Sequence, residues 1–401
     1  MASSANIAIG RSWKRLEGVD LLRGLAIFFV LMNHVNMRLF LARMPYTYGL
    51  PSQLISSLFW NGQFGVQIFF AVSGFLIAST TIRRWGSLAA VRVRDFYLLR
   101  FARIGPLLFL LLLILSALHL AGLPDFVVAS KTGGLGRALL AALTFQVNVL
   151  EARRGYLPGN WDLLWSLSVE EMFYLFFPVV CWLLGRTKLL VPLLCTLVIL
   201  GPFARTVFAH GNEVWQEYSY LGGMDAIALG CLTAMADHKI RCSRRTLLIF
   251  SIAGSALLVL VLGFSVTLEK WKLSSTGLDM SILAVGACLL ITVAAQTGWR
   301  GPIILHPLLN LGQRSYEIYL THMFVVFAFF RIFVLAGKLL RAVPLLFGAV
   351  IVFAALLGDL TARFFSEPLN RSLRKKWGDG PDRLGSVIET DAAAAPRSAN
   401  L

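Results

Sequence analysis

The chain has 401 residues, of which 57% are hydrophobic and 14% charged, with a formal net charge of +16. A soluble domain carries about 25% charged residues, so most of these side chains must face lipid or each other. That composition argues against a soluble multi-domain protein, a nucleic-acid binder, a disordered chain or a secreted disulfide fold. The basic excess is read as topogenic, held near anionic headgroups on the cytoplasmic side. The five cysteines (Cys181, Cys195, Cys231, Cys242, Cys288) lack CxxC spacing. Four lie in apolar runs, where Cys acts as a small hydrophobe, so neither a metal site nor a disulfide framework is expected.

In chain order, residues 1–15 form a short basic segment without the apolar core and cleavage site of a secretory signal. The run Leu21 to Ala42 is long enough to span about 30 Å at 1.5 Å per residue, and is read as a retained helix. Nine more apolar runs follow near 62–82, 103–122, 163–184, 189–208, 221–236, 246–265, 276–296, 312–335 and 342–365. The expectation is an all-α, polytopic transmembrane bundle of about ten spans in the plasma (inner) membrane, with both termini cytoplasmic. The stretch 135–150 is too short for a full crossing. If it does not cross, Lys and Arg concentrate on the side of the N-terminus; if it crosses, the two sides even out. It is therefore read as re-entrant or interfacial, in keeping with Arg137, Gln146 and Asn148. Residues 16–376 are taken as one membrane domain. The tail 377–401, rich in Gly, Asp, Ala and Ser, is expected to be disordered.

Ionisable groups at membrane depth are costly and mark function. Arg23 and His34 lie eleven residues apart, about 16 Å along a helix and close to three full turns, so they share a face. Arg23 fits an anion contact at the boundary, and His34 an acid or base at depth; a snorkelling Arg and a packing His are the bland alternative. Arg100 and Arg103 are i and i+3 at the opening of a span, where two guanidiniums suit forked phosphate contacts or plain anchoring. In 165–174, Glu170 and Glu171 are adjacent carboxylates in an apolar run. Successive helical residues point about 100° apart, so one at most should face a given partner squarely. Tyr319 and His322 share a face, and with Asp225 they are candidates to line a polar cavity for a hydroxylated ligand.

The blocks LEGVDLLRGLAIFFVLMNHV, GVQIFFAVSGFLI, RFARIGP, WSLSVEEMFYLFFP, YEIYLTH and SEPLNR occur in this order between residues 16 and 371. Together they resemble the membrane-bound acyltransferase-3 family. The resemblance implies an integral membrane O-acyltransferase of about ten helices that takes an acyl group, most often acetyl from acetyl-CoA, to a hydroxyl of a sugar or other acceptor. Arg23 and His34 match the family's basic-x10-His motif, Arg100 and Arg103 its RxxR motif, and Tyr319 and His322 its YLxH block. Glu170 matches the regular Glu of a block in which this chain has Met172 in place of Gln. The family also has forms with a C-terminal hydrolase-like domain; a stand-alone form is expected here, with acceptor recognition inside the membrane domain.

The expected mechanism follows. Polyanionic CoA, a donor substrate rather than a permanently bound cofactor, approaches the cytoplasmic arginines Arg23, Arg100 and Arg103. His34 either deprotonates the acceptor hydroxyl or carries the acyl group itself, with Glu170 holding its tautomer. Partners are then acyl-CoA, a carbohydrate or other hydroxylated acceptor and the bilayer, with no nucleic acid and no metal. A transporter or flippase for a glycan or lipid-linked sugar is the alternative that midplane charges also suit.

Overall fold

The computed structural model describes residues 15–377. The expectations for residues 1–14 and 378–401 lie outside the described residues. Among the described residues the chain is helical, without strands.

The first half contains α1 (Glu17–Leu41), the short α2 (Ser52–Phe59), α3 (Gly62–Trp85) and α4 (Val93–Leu120). Then come α5 (Gly134–Leu143), α6 (Val147–Arg154), the single-turn α7 (Gly159–Asp162) and α8 (Leu164–Leu184). The second half contains α9 (Leu190–Arg205), α10 (Glu213–Tyr218), α11 (Tyr220–Lys239), α12 (Arg244–Gly263) and α13 (Ser265–Lys270). It closes with α14 (Leu278–Thr297), α15 (His306–Gln313), α16 (Ser315–Leu335), α17 (Val343–Thr361) and, after a π-helical turn, α18 (Glu367–Lys376). Among the described residues, nine helices are long and apolar enough to cross a membrane, or ten if one pair bent by 94° counts as a span. The chain is a multi-pass membrane protein.

Local chemistry explains several of these boundaries. Ser219 and Ser243 start α11 and α12 by accepting the backbone N–H of Gly222 and Thr246, which satisfies amides that have no helical partner. The stretch 135–150 does not form one helix. It folds as α5 and α6, split where Phe145 takes a φ of 56°. The third apolar run was expected from 103, but α4 begins at Val93, so Arg100 lies two turns inside the helix rather than at its mouth. The run 312–335 is interrupted at Arg314, and 189–208 shortens to the sixteen residues of α9.

α1 runs through the centre of the bundle against α3, α15 and α16, while α11 packs between α3 and α9. Glycines set the two closest crossings. A Cβ on Gly24 would stand 1.9 Å from the Leu308 carbonyl oxygen, and one on Gly312 1.8 Å from that of Asp20. Between α3 and α11, a Cβ on Gly74 would meet the Ile227 oxygen at 1.9 Å. Such close contact gains dispersion energy where lipid offers no hydrophobic drive between helices. Polar ties fix the two ends. Glu17 meets Arg300 at 2.7 Å, and Arg314 holds Asp359 at 3.1 Å and Glu367, all at the end where α1 starts. At the other end Arg38 pairs with Asp125 at 3.5 Å and lies over the Phe327 ring.

Candidate active site

α1 and α16 bring His34 and His322 together. His322 Nε2 lies 3.3 Å from His34 Nδ1, and the ring centroids are 4.9 Å apart. His34 Nδ1 is 2.8 Å from the Val30 oxygen; His322 Nδ1 is 2.7 Å from the Tyr319 oxygen and 3.2 Å from that of Ile318. A carbonyl only accepts, so both Nδ1 atoms carry the proton. The His34 Nδ1–H is then shared between the Val30 carbonyl and the lone pair of His322 Nε2. The free lone pair on His34 is on Nε2, the atom available for a base or a nucleophile. His322 is fully buried and its own ring is fixed by two carbonyls of the same helix. Expected as a ligand contact, it instead backs His34.

Tyr319 lies beside this pair. Its hydroxyl meets Ser166 Oγ at 2.6 Å and donates to the Leu163 oxygen at 3.0 Å, and its ring stands 5.8 Å from His322. It links α16 to the start of α8.

A second cluster joins α3, α4 and α8. Arg100 Nη2 lies 3.0 Å from Glu170 Oε1 and 3.5 Å from Glu171 Oε1, and its guanidinium sits 3.5 Å over the Tyr174 ring. Tyr174 donates to Glu170 at 2.7 Å, and Ser73 donates to it as well. Glu170 Oε1 accepts from Arg100, Tyr174 and Ser73, while the groups at His34 Nδ1 are the Val30 carbonyl and His322 rather than the expected Glu170. The structure sets Arg100, expected as a phosphate contact, beside Glu170 and Glu171 and leaves Arg103 exposed. Two adjacent carboxylates both reach Arg100, because its long side chain spans the angular gap between them. Arg100 Nε is left buried without a partner. Arg103 is exposed and interacts electrostatically with Arg23 and Glu317. The cationic pair at the near end is therefore Arg23 with Arg103.

Asp225, expected beside a hydroxylated ligand, lies in a separate polar network. It is buried and accepts from Arg205 Nη2 at 2.8 Å, Gln67 Nε2 at 2.9 Å and Ser281 Oγ at 2.9 Å. Arg205 also donates to the Gly277 oxygen at 2.9 Å. This closed network straps α3, α9, α11 and α14 together and leaves Asp225 no acceptor for a ligand.

Sequence reasoning missed the groups at the far end of the bundle. Glu151 is completely buried, accepts the Leu157 N–H at 3.0 Å and lies against Asp162. Burial pushes its carboxyl well above the usual range, and the Asp162 carboxylate reinforces the shift. Tyr218 Oη meets Asp162 at 3.3 Å, while its ring stacks on Trp165 with centroids 4.1 Å apart. Glu151 stands in a short polar stretch, so nothing in the pattern marked it as buried. Among the described residues no group of three or more His, Cys, Asp or Glu side chains could hold a metal ion.

A histidine pair, an arginine held by two carboxylates and the cations Arg23 and Arg103 lie among helices long and apolar enough to cross a membrane, and so define a class of polytopic membrane protein with polar clusters inside the bundle. The comparison with known families specifies it further: a model described as an acyltransferase domain matches residues 16–359, and the chain belongs to this acyltransferase-3 family. The chain is similar to the O-acetyltransferase OatA of Staphylococcus aureus, with 24% identity over 398 residues, covering 94% of this chain and 60% of that protein. It is also similar to the peptidoglycan O-acetyltransferase OatA of Listeria monocytogenes, with 24% identity over 383 residues, covering 90% of this chain and 57% of that protein. The chain thus spans about 60% of the length of these curated relatives. No solved structure matches it significantly.

Proposed function

We propose that the chain is a membrane O-acetyltransferase that moves acetyl from acetyl-CoA to a hydroxyl of a glycan, in the plasma membrane, with the start of α1 on the cytoplasmic side. The supporting observation is the His34–His322 pair, which leaves a half-buried imidazole nitrogen unprotonated on a helix carrying a cation at its near end. His34 Nε2 takes the proton of the acceptor hydroxyl. The oxygen attacks the thioester carbonyl carbon, the carbon–sulfur bond breaks, and the departing thiolate takes the proton back from His34. As His34 becomes cationic, its Nδ1–H bonds to His322 Nε2 and the Val30 oxygen become charge-assisted and stronger. Arg23 and Arg103 hold the CoA phosphates, as paired guanidiniums at a membrane boundary would. Arg100 acts on this site indirectly, by fixing Glu170 and Glu171 between α4 and α8.

The glycan acceptor rests on the relatives, one of which is a peptidoglycan O-acetyltransferase. The matched family leaves the transporter or flippase alternative without an observation in its favour. The test is transfer by the purified, reconstituted protein from acetyl-CoA labelled in the acetyl group, offered peptidoglycan fragments and neutral polysaccharide. Alkali-labile label on the glycan, matched one to one by free CoA thiol, is the expected result. Neither label transfer nor thiol release would overturn the reading.

A further inference from the structure

At the end of the bundle opposite Arg23, the turn Ser130–Thr132, α5 and α6 form an open bowl of about 680 Å³. Lys131, Arg137, Arg153 and Arg154 line it, together with Thr144 and Gln146. No acidic side chain lines it, and among the described residues none of the four cations forms an ion pair. The position follows from the contacts: Asp125, just before this segment, pairs with Arg38 in the last turn of α1. The charge bias that gathers cations at the α1 start does not account for four more at the other end. Four exposed cations gathered in one bowl without a lining carboxylate suit an anion.

The rim is apolar. Leu140 is 63% exposed and Leu143 46%, and both lie on α5 beside the cations. A phosphate head in the bowl would thus have its hydrocarbon stem against α5. We propose that this cavity binds the phosphate or diphosphate head of an amphiphile. Two sources share that chemistry, a membrane phospholipid and a prenyl-type diphosphate carrier. The guanidiniums would take phosphate oxygens in forked pairs, with Thr144 and Gln146 donating to the remainder.

The experiment uses the full chain in phosphatidylcholine nanodiscs without acetyl-CoA, so its outcome is separate from that of the acetyl-transfer test. Farnesyl diphosphate and inorganic diphosphate are titrated calorimetrically. Retained phosphatidylglycerol is counted by native mass spectrometry after mixed-lipid reconstitution. The expected result is binding of farnesyl diphosphate or selective retention of phosphatidylglycerol, with inorganic diphosphate weaker. Displacement of phosphatidylglycerol by farnesyl diphosphate assigns the site to the prenyl type, and the reverse preference assigns it to the phospholipid. The triple variant Arg137→Gln, Arg153→Gln, Arg154→Gln should lose at least about tenfold in affinity, as expected when charge-assisted phosphate contacts are removed. Equal affinity in a triple variant that elutes and melts like the wild type would overturn the proposal. If that variant does not fold, the wild type alone decides: its affinity must fall as salt rises from about 0.1 M to 1 M, over which the screening length drops from about 10 Å to 3 Å. Salt-independent binding, or inorganic diphosphate binding as tightly as the amphiphile, would equally overturn it.

Discussion

His322 Nε2 faces His34 Nδ1 across 3.3 Å, joining side chains that stand 288 positions apart in the sequence. Because the Nδ1 of His322 is committed to the carbonyls of Tyr319 and Ile318, its Nε2 can only accept. His322 is therefore a positioning residue that favours the Nδ1–H form of His34 and supports the imidazolium that forms in the reaction. His322→Ala is predicted to lower kcat by about a hundredfold, the lower range of a general-base effect, while leaving KM for acetyl-CoA unchanged. His322→Gln, whose carbonyl oxygen can accept the same proton, should recover part of the loss. Steady-state kinetics with both variants, with the pH profile of kcat, check this. A His322 that only packs would give alanine and glutamine variants alike.

Arg100 and Arg103 are predicted to separate by phenotype. Removing Arg100 leaves Glu170 and Glu171 without their shared cation, and breaking this partly buried charge cluster destabilises, by less than the roughly 3–5 kcal/mol of a fully buried pair. Arg100→Ala should therefore lower the melting temperature of the detergent-solubilised protein. Arg103 is exposed, so Arg103→Ala should raise KM for acetyl-CoA with little change in melting. Thermal denaturation and donor titration on the two variants read the difference directly.

The Arg205–Asp225 pair is a strut, and its loss should be felt as stability. Either single alanine variant strands a buried charge and should destabilise by about 3–5 kcal/mol. The double variant should cost less than the two together, since residues in one network couple by about 0.5–3 kcal/mol. Acceptor KM measured on whatever folded fraction remains should not move. A large KM effect at full stability would restore Asp225 to the ligand site.

Glu151 gives a pH dependence with a defined sign. Its folded-state carboxyl titrates well above 4.5 because it is buried beside Asp162. The folded state thus holds a proton that the unfolded chain releases near 4.5. Its contribution is fully present below that pH and is lost as pH rises through the raised folded value. Glu151→Gln, which keeps the shape and removes the titration, should flatten the decline of melting temperature on the alkaline side. Melting curves from acid to alkaline pH on both proteins compare the slopes. Identical slopes would show that Glu151 does not carry the dependence.

Much of the fold could be read from the sequence because lipid imposes one rule: every span needs a long apolar run. The bundle class and the helix bearing His34 both come from that rule. Boundaries set by side chains were less legible. α4 starts at Val93 because a helix can continue beyond the bilayer through Arg94 and Arg100, which a hydropathy run cannot register. Within the site, residue types were legible and partnerships were not. Helical periodicity places residues on a face of their own helix, but it says nothing about which neighbour that face meets. Hence the sequence places Glu170 on a helix face without showing that this face meets Arg100, and Asp225 without showing that it meets Arg205.

The central claim is that the unprotonated nitrogen of His34, held by His322, activates the acceptor. The most direct test is a single-turnover measurement with labelled acetyl-CoA and glycan acceptor, comparing wild type with His34→Ala in the same bilayers. The account predicts that His34→Ala inserts and melts normally, binds acetyl-CoA with unchanged affinity, and transfers no label. Transfer by His34→Ala at the wild-type rate would contradict it.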